Sequence, residues 1–503
     1  MIMLAGVLAA GAPLAHAQTW KITPVVSWES TFTDNVNLAP SDRKESDWIN
    51  QITPSVQFTW ASAHTRAAGR IGLPVLLYVN QSESNYVQPQ VAVAGTWEAI
   101  ERFFFIDASI NVSQQFLSPF GATPNNLGSI TNNRYTAQDY TISPYIRGRT
   151  GDGVEYELRD TNTWSNASQV EAEGVGATGY SNEIRGFVGR SARPTGWSLE
   201  YDRTQVKFTN QDSEITEIAR ARALYGPDPT LQFSLIGGYE NNRFAFTEEK
   251  GAVYGGGISW HPSERTQLDA TLEHRFFGAG YTFTFNHRWP LSAFSIRASR
   301  DTNSYPQQLA NLPAGANVNQ LLNSIFSSRI PDAVERQGVV DDIIRNRALP
   351  GTLSTPVVLF TEQITLLEQF SATYGILGAR NGIFFTAYRS KDEPISNNQS
   401  DFIPPSALQD LNRNNTQVGA NVAWTHQLMP TVTLVTDMNW SRTKSNEEVS
   451  ATTRDFTVNG LLSTSLSLLT TAYGGIRYQD SHSDNGAGYK EFAVFVGLTH
   501  RFN

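Results

Sequence analysis

The feature that most constrains this chain is a two-residue alternation of apolar and polar side chains over long segments. Between Leu268 and Phe276, mostly apolar side chains at even positions alternate with polar ones at odd positions. The segments 154–159, 432–440 and 492–502 repeat the pattern. Successive side chains of a β-strand point to opposite faces, so each segment predicts a strand with one apolar and one polar face.

The lengths of these segments and of their links predict an all-β fold, a transmembrane antiparallel up-and-down β-barrel. The alternating segments run to about 10–14 residues, whereas strands of soluble proteins average about 5–6. Short links alternate with longer polar ones such as 118–133 and 390–413, as the two ends of an outer-membrane barrel require. The pattern predicts about 22 strands, within an even range of about 18–22, with both termini in the periplasm.

The N-terminus predicts export to the envelope of a Gram-negative cell. Residues 1–17 are apolar and end in Ala15-His16-Ala17, a signal-peptidase pattern, although no Lys or Arg precedes the apolar run. A buried N-terminal helix is the alternative interpretation. Residues 18–503 would then form the barrel. No later run reaches the ~18 apolar residues of a transmembrane helix. The chain has no cysteine, and its net charge of -9 argues against a nucleic-acid partner.

An insertion at residues 303–365 breaks the alternation. Val318, Leu321, Leu322, Ile325 and Phe326 have helical spacing. A second helix is predicted to begin at Pro331 and to place Val334, Val340, Ile343 and Ile344 on one stripe. Strand parity places this insertion on the outer side. It is either a lid or partial plug folded into the lumen, or an outer loop that packs on itself.

One change of parity predicts a β-bulge. Trp197, Leu199 and Tyr201 are odd, whereas Val206 and Phe208 are even. If all five side chains lie on one face, an extra residue must be accommodated near 203–205.

Two sequence blocks resemble the outer-membrane proteins associated with PEP-CTERM (exosortase) systems. The first is Glu29-Ser30-Thr31-Phe32-Thr33-Asp34-Asn35-Val36-Asn37-Leu38-Ala39-Pro40, followed by Asp47-Trp48-Ile49-Asn50-Gln51-Ile52-Thr53-Pro54-Ser55. The second is Gly378-Ala379-Arg380-Asn381-Gly382-Ile383-Phe384-Phe385-Thr386-Ala387-Tyr388-Arg389-Ser390. The resemblance implies an outer-membrane protein of bacteria that sort PEP-CTERM proteins and make exopolysaccharide. It supplies no reaction and no catalytic residue.

The polar faces carry the candidate functional residues. Charges on a lumen wall can set the selectivity of a pore, or can pair across strands and stabilise the wall. The predicted lumen-lining residues are Glu155, Glu157, Arg159, Asp269, Glu273, Arg275, Arg288, Arg297, Arg477 and Glu491. The sequence contains no H-x-x-x-H pair and no G-x-S-x-G motif, so neither an enzyme nor a cofactor or metal site is predicted.

Two functions from different classes are compatible with these features. The first is a porin-like or export-associated channel that passes polar solute or polymer, with exopolysaccharide as the cargo implied by the resemblance. The second is a non-conducting scaffold with a filled lumen, whose partners beyond membrane lipid would be exopolysaccharide or envelope proteins. Occupancy of the lumen distinguishes them.

Overall fold

The computed structural model describes residues 19–168, 178–208, 213–244, 247–310, 318–327, 356–358, 364–395, 414–446, 451–484 and 488–502, together with 330, 336, 339, 340 and 344. The signal peptide predicted at 1–17 lies outside these residues. So do Pro331, Val334 and Ile343 of the second predicted helix.

Twenty-four strand segments form one antiparallel sheet of 22 strands. Two strands consist of two segments each, because Pro74 and Pro89 lack the N–H that would continue the ladder. The first eleven strands are β1 Thr19–Thr33, β2 Asp47–Ala61, β3 Thr65–Gly72 with Val75–Tyr78, β4 Tyr86–Val87 with Gln90–Ile100, β5 Phe104–Phe116, β6 Arg134–Arg149, β7 Val154–Ser168, β8 Thr178–Arg190, β9 Thr195–Phe208, β10 Glu214–Asp228 and β11 Leu231–Arg243. The others are β12 Glu248–Ser263, β13 Thr266–Arg275, β14 Gly278–Arg288, β15 Ser292–Asn303, β16 Thr365–Leu377, β17 Asn381–Pro394, β18 Asn415–Met429, β19 Val432–Ser445, β20 Thr452–Ser465, β21 Thr470–Ser483 and β22 Tyr489–Arg501.

The sheet closes on itself. β1 pairs antiparallel with β22, from Val25 opposite Arg501 to Thr33 opposite Ala493. Closure leaves no unpaired edge, which is a requirement for a sheet in a lipid bilayer. The predicted barrel and the predicted count of about 22 strands are confirmed.

The two faces of the wall differ as the alternation predicted. Large apolar side chains such as Trp28, Leu158, Leu235 and Val496 are 43%, 51%, 73% and 50% exposed on the outer face. Lumen positions carry mostly hydroxyl, amide and charged side chains. An exposed apolar surface that encircles the molecule matches a hydrocarbon environment, so this is the fold of an outer-membrane β-barrel protein.

The two ends of the barrel differ in their links. At one end, the short-turn end, every link has two to four residues: 62–64, 101–103, 150–153, 191–194, 229–230, 264–265, 289–291, 378–380, 430–431 and 466–469. The other end, the long-loop end, carries the longer links, although 276–277 is short. β1 begins and β22 ends at the short-turn end.

The insertion joins the long-loop ends of β15 and β16 and enters the lumen. Its helix α1, Tyr305–Ala310, contacts β6, β7 and β8, of which the nearest lies seven strands from β15. α2, Val318–Phe326, covers the same residues as the first predicted helix. Among the described residues, no helix is long and apolar enough to cross a membrane.

The predicted bulge at 203–205 is wrong. β9 pairs with β10 without a register shift from Thr195 to Val206. Val206 is instead an apolar residue on the lumen face. Val206 is 1% exposed because it packs with Phe244 and Ile364 of the long-loop end. The apolar residues of β9 change from odd to even positions because the lumen face is covered by other side chains near the long-loop end.

Candidate functional site

The register places all ten predicted lumen-lining residues at lumen positions, and most of them contact partners of opposite charge. On β7, the Arg159 guanidinium lies 2.8 Å from an Asp107 oxygen and 3.1 Å from a Glu157 oxygen, and its centre lies 3.6 Å from the Tyr145 ring centroid. The other β7 residue, Glu155, lies 3.8 Å from Arg149 beside a short turn.

A network of seven charged side chains continues from β8 to β13. Arg185 pairs with Glu183 and lies 3.1 Å from Asp202, and Arg220 links Asp202 to Glu273 at 3.2 and 3.1 Å. Arg222 lies 2.9 Å from Glu200 and 3.8 Å from Glu273. We call the lumen face of β7 to β13 the charged sector. Its charges are largely compensated, yet the Arg185 side chain is 58% exposed to the lumen.

Of the other predicted residues on β13 to β15, one is buried in the barrel wall and three lie toward the short-turn end. Arg275 is 5% exposed and lies 2.8 Å from Glu240 and 3.2 Å from Asp301. Asp269 accepts a 2.6 Å hydrogen bond from Ser259, and Arg288 donates to the Glu264 carbonyl oxygen beside a short turn. Arg297 lines a cavity of about 500 Å³ at the short-turn end, together with Leu321 and Ser324 of α2.

Arg477 and Glu491 stabilise the seam where the barrel closes. Glu491 is 0% exposed, accepts a 2.8 Å hydrogen bond from Thr33 of β1, and lies 2.8 Å from Arg477 of β21. One carboxylate therefore links the first strand to the last two.

Replacing Arg477 with Ala should lower the free energy of unfolding by about 3–5 kcal/mol, because the Glu491 carboxylate would stay buried without its cation. Urea unfolding in lipid vesicles measures the change. Arg149→Ala is the matched control. It removes an exposed pair with Glu155 and should cost less than about 1 kcal/mol. Equal costs for the two substitutions would contradict the role of the seam.

Two cavities follow the charged sector. One, of about 430 Å³, lies toward the long-loop end and reaches Gln307 and Ile364 of the insertion. The other, of about 320 Å³, reaches the short-turn end at Ser191. Both cavities are lined by Phe187, Glu200, Arg222 and Thr271. These four residues therefore stand where the cavities meet, and the Arg222–Glu200 ion pair spans the junction.

α2 occupies a different sector of the lumen. Val318, Leu322 and Ile325 are at most 1% exposed, and with Leu321 they pack on apolar lumen residues of four neighbouring strands. These wall residues are Ala293 of β15, Leu377 of β16, Phe384 of β17 and Ala423 of β18. All four lie in the half of the barrel nearer the short-turn end. α2 therefore lies deep in the lumen, although the insertion begins and ends at the long-loop end. We call the lumen face of β15 to β18 the α2 sector.

α1 covers part of the lumen at the long-loop end. The hydroxyl groups of Tyr305 and Tyr135 are hydrogen bonded, and Tyr305 is 2% exposed against Ala137 and Ala167. Gln307 donates a 3.3 Å hydrogen bond to Thr204. The insertion is thus attached to the charged sector at its beginning and to the α2 sector further along.

The acidic and amide residues of the first sequence block organise a loop. The Asn35 side chain is 0% exposed and donates to the carbonyl oxygens of Ala39 and Lys490 at 2.7 and 2.9 Å. Asp47 accepts hydrogen bonds from the backbone N–H groups of Asn80 and Gln81 at 2.9 and 3.1 Å. These residues join the β1–β2 loop to its neighbours. Within the described ranges, no group of three or more metal-ligating side chains occurs.

Sequence reasoning missed the centre of the charged network. Arg185 stands between Ile184 and Gly186, and Arg220 and Arg222 alternate with alanines, but Glu217 lies on the outer face of the same β10 strand and obscures the contrast between faces. Parity also cannot show which charges meet across strands, because that depends on the register of each pair.

Comparisons with known proteins identify other barrels at very low identity. No family model and no curated protein matches the sequence. The siderophore receptor PirA of Acinetobacter baumannii is 9% identical, with 96% of this chain and 80% of that chain covered and a TM-score of 0.46. The ferric enterobactin receptor of Pseudomonas aeruginosa is 10% identical, with 96% and 81% covered and a TM-score of 0.46. A loop-deletion mutant of OmpT, an outer membrane protein of Vibrio cholerae, is 8% identical, with 97% and 100% covered and a TM-score of 0.33. The description of this fold therefore rests on its own register and closure.

Proposed function

We propose that the protein is an outer-membrane channel that passes small polar and charged solutes along its charged sector, beside the seated α2. The observation that carries the proposal is the pair of cavities that share Phe187, Glu200, Arg222 and Thr271. A path lined by charged side chains holds water, which dissolved ions and polar solutes need. Barrels of 22 strands have a bore wide enough to hold a plug, so a narrow path beside one is consistent with this strand number.

We further propose that the short-turn end faces the periplasm and the long-loop end faces the exterior. Barrels of this class have short periplasmic turns and longer outer loops, with both termini in the periplasm. The insertion would then enter the lumen from outside. Protease added to intact cells should cut only at long-loop sites, and cleavage at a short turn would reverse this orientation.

The connection with PEP-CTERM systems and exopolysaccharide remains a proposal from sequence resemblance. Cavities of about 320 to 500 Å³ suit single small solutes, so passage of a polymer would require movement of α2. If a polymer is the cargo, oligosaccharides should block the current through the variant that lacks α2 but not the current through the intact protein. No block in either form would argue against a polysaccharide cargo.

The ion pair at the junction gives a direct test of the path. Replacing Arg222 with Gln removes a positive charge beside Glu200 and Glu273. One unit charge at 4 Å in water contributes about 1 kcal/mol, so the cation-to-anion permeability ratio should rise by roughly fivefold. Reversal potentials in a salt gradient measure it. Arg203→Gln is the control, because Arg203 lies on the outer face beside Glu217.

A change in selectivity for Arg222→Gln alone supports the path along the charged sector. Unchanged selectivity in a conducting protein would place the path elsewhere. If neither the intact protein nor a variant without α2 conducts, the channel proposal fails, and the scaffold with a filled lumen takes its place.

A further inference from the structure

A group of cations that forms no ion pair with any described residue lies on the outer face of β19 and β20 near the long-loop end. Arg442 and Arg454 are directly opposite each other in the register, and both are exposed. Lys444 lies two residues further along β19 on the same face and is also exposed. Like charges directly opposite each other on a sheet are destabilising. An anion bound between the two guanidinium groups would remove this repulsion.

Several other outer-face cations near this end have carboxylate partners. Arg203 lies 3.9 Å from Glu217, Arg389 lies 2.6 Å from Glu368, and Lys250 lies 2.9 Å from Glu248. On the strand next to β20, Asp480 lies 3.4 Å from Lys490. Within the described part of the chain, neither Arg442 nor Arg454 nor Lys444 forms such a pair. Among the described residues, these three side chains therefore form a local excess of positive charge.

The position of the group relative to the apolar belt indicates the kind of anion. Trp440 and Phe456 are opposite each other, two residues nearer the middle of the barrel on the same face, and are 42% and 40% exposed. Two residues along a strand correspond to about 6.6 Å. Met438 and Phe492 continue the apolar surface below them. Aromatic rings at this level mark the boundary between hydrocarbon and headgroups, so the cations lie at headgroup depth.

We propose that Arg442, Arg454 and Lys444 bind the phosphate groups of a phosphorylated glycolipid in the outer leaflet, whose acyl chains lie on the apolar surface beneath. Guanidinium groups bind phosphate through paired charge-assisted hydrogen bonds, and a lysine in the next row can serve a second phosphate. The assignment to the outer leaflet rests on the orientation proposed above. The phosphate site itself rests only on the register, exposure and charge of these residues.

Titration of the delipidated barrel with bisphosphorylated lipid A, followed by native mass spectrometry, tests the site. R442Q/R454Q should raise the dissociation constant at least roughly tenfold, because hydrogen bonds between charged groups are lost. R203Q is the matched control and should leave the dissociation constant within about twofold, because Arg203 lies on β9, far around the barrel from β19 and β20, and already has Glu217 as its partner. Lipid A without its phosphates should bind to the intact protein as weakly as lipid A binds to the double variant.

The same variants separate binding from folding. Without lipid, R442Q/R454Q should migrate as a folded barrel with an unfolding temperature equal to or above that of the intact protein, because a like-charge repulsion has been removed. If the double variant does not assemble, R442Q alone must meet the binding criterion.

Three outcomes would overturn the proposal. Equal lipid A affinity for intact protein and double variant would show that these cations are not the site. Equal stabilisation by inorganic phosphate would indicate a free anion site. Preference for phosphatidylglycerol over lipid A would place the residues in the other leaflet. None of these outcomes bears on conductance, so failure here leaves the channel proposal to its own tests.

Discussion

Deleting residues 311–360 should raise single-channel conductance in planar bilayers severalfold. The deletion removes α2, whose side chains pack on Ala293, Leu377, Phe384 and Ala423 in the half of the lumen nearer the short-turn end. A 22-stranded barrel without this helix has a wider aqueous cross-section. The intact protein should conduct weakly along the charged sector, and the shortened protein should conduct through both sectors.

Heat-modifiable migration on a gel serves as the control for this deletion, because it reports whether the shortened chain still forms a barrel. A folded variant with the same conductance as the intact protein would mean that α2 does not limit the bore. A steady high conductance of the intact protein would also contradict the proposal that α2 leaves only a narrow path.

Replacing Gly375 with Val should displace α2 without removing it. Gly375 is on the lumen face of β16, where an added Cβ would collide with the Leu321 side chain and lie 3.0 Å from Phe384. Overpacking of this kind costs about 1–3 kcal/mol, which shifts the balance between seated and displaced α2 by roughly tenfold. Valine also suits a strand, so the wall itself should persist. Bilayer recordings should show frequent transitions to the conductance of the deletion variant.

Gly251→Val is the matched control for this substitution. Gly251 also lies on the lumen face, on β12, but an added Cβ there meets nothing within 4 Å. Its conductance should resemble that of the intact protein. If both glycine variants show the same conductance, the effect comes from the added side-chain volume in the lumen and not from displacement of α2.

The strands could be predicted from the sequence because lipid outside and water inside impose opposite polarity on alternate residues. The prediction failed where that contrast weakens. Val206 is apolar on the lumen side because Phe244 and Ile364 cover it there, so the change of parity at this residue does not mark a bulge.

The candidate site was less predictable than the fold. Amphipathic spacing identified α2, but a helical stripe does not specify which surface covers it, and the contact with four wall strands depends on the path of the whole insertion. Likewise, Arg220 contacts Asp202 and Glu273 on two different strands, a contact that only the register of several strand pairs creates. Gly375 gave a local signal, because a glycine within a strand can mark a place where another element approaches closely.

The most direct test of the central claim is the reaction of a single cysteine with a membrane-impermeant thiol reagent during bilayer recording. The chain contains no native cysteine, so Thr271→Cys, which lines both cavities, and Ala293→Cys, which lies beneath α2 at 2% exposure, can be compared directly. A path along the charged sector beside a seated α2 predicts a stepwise loss of current for the cysteine at position 271 and no change at position 293. Current loss at position 293 with none at position 271 would contradict the account.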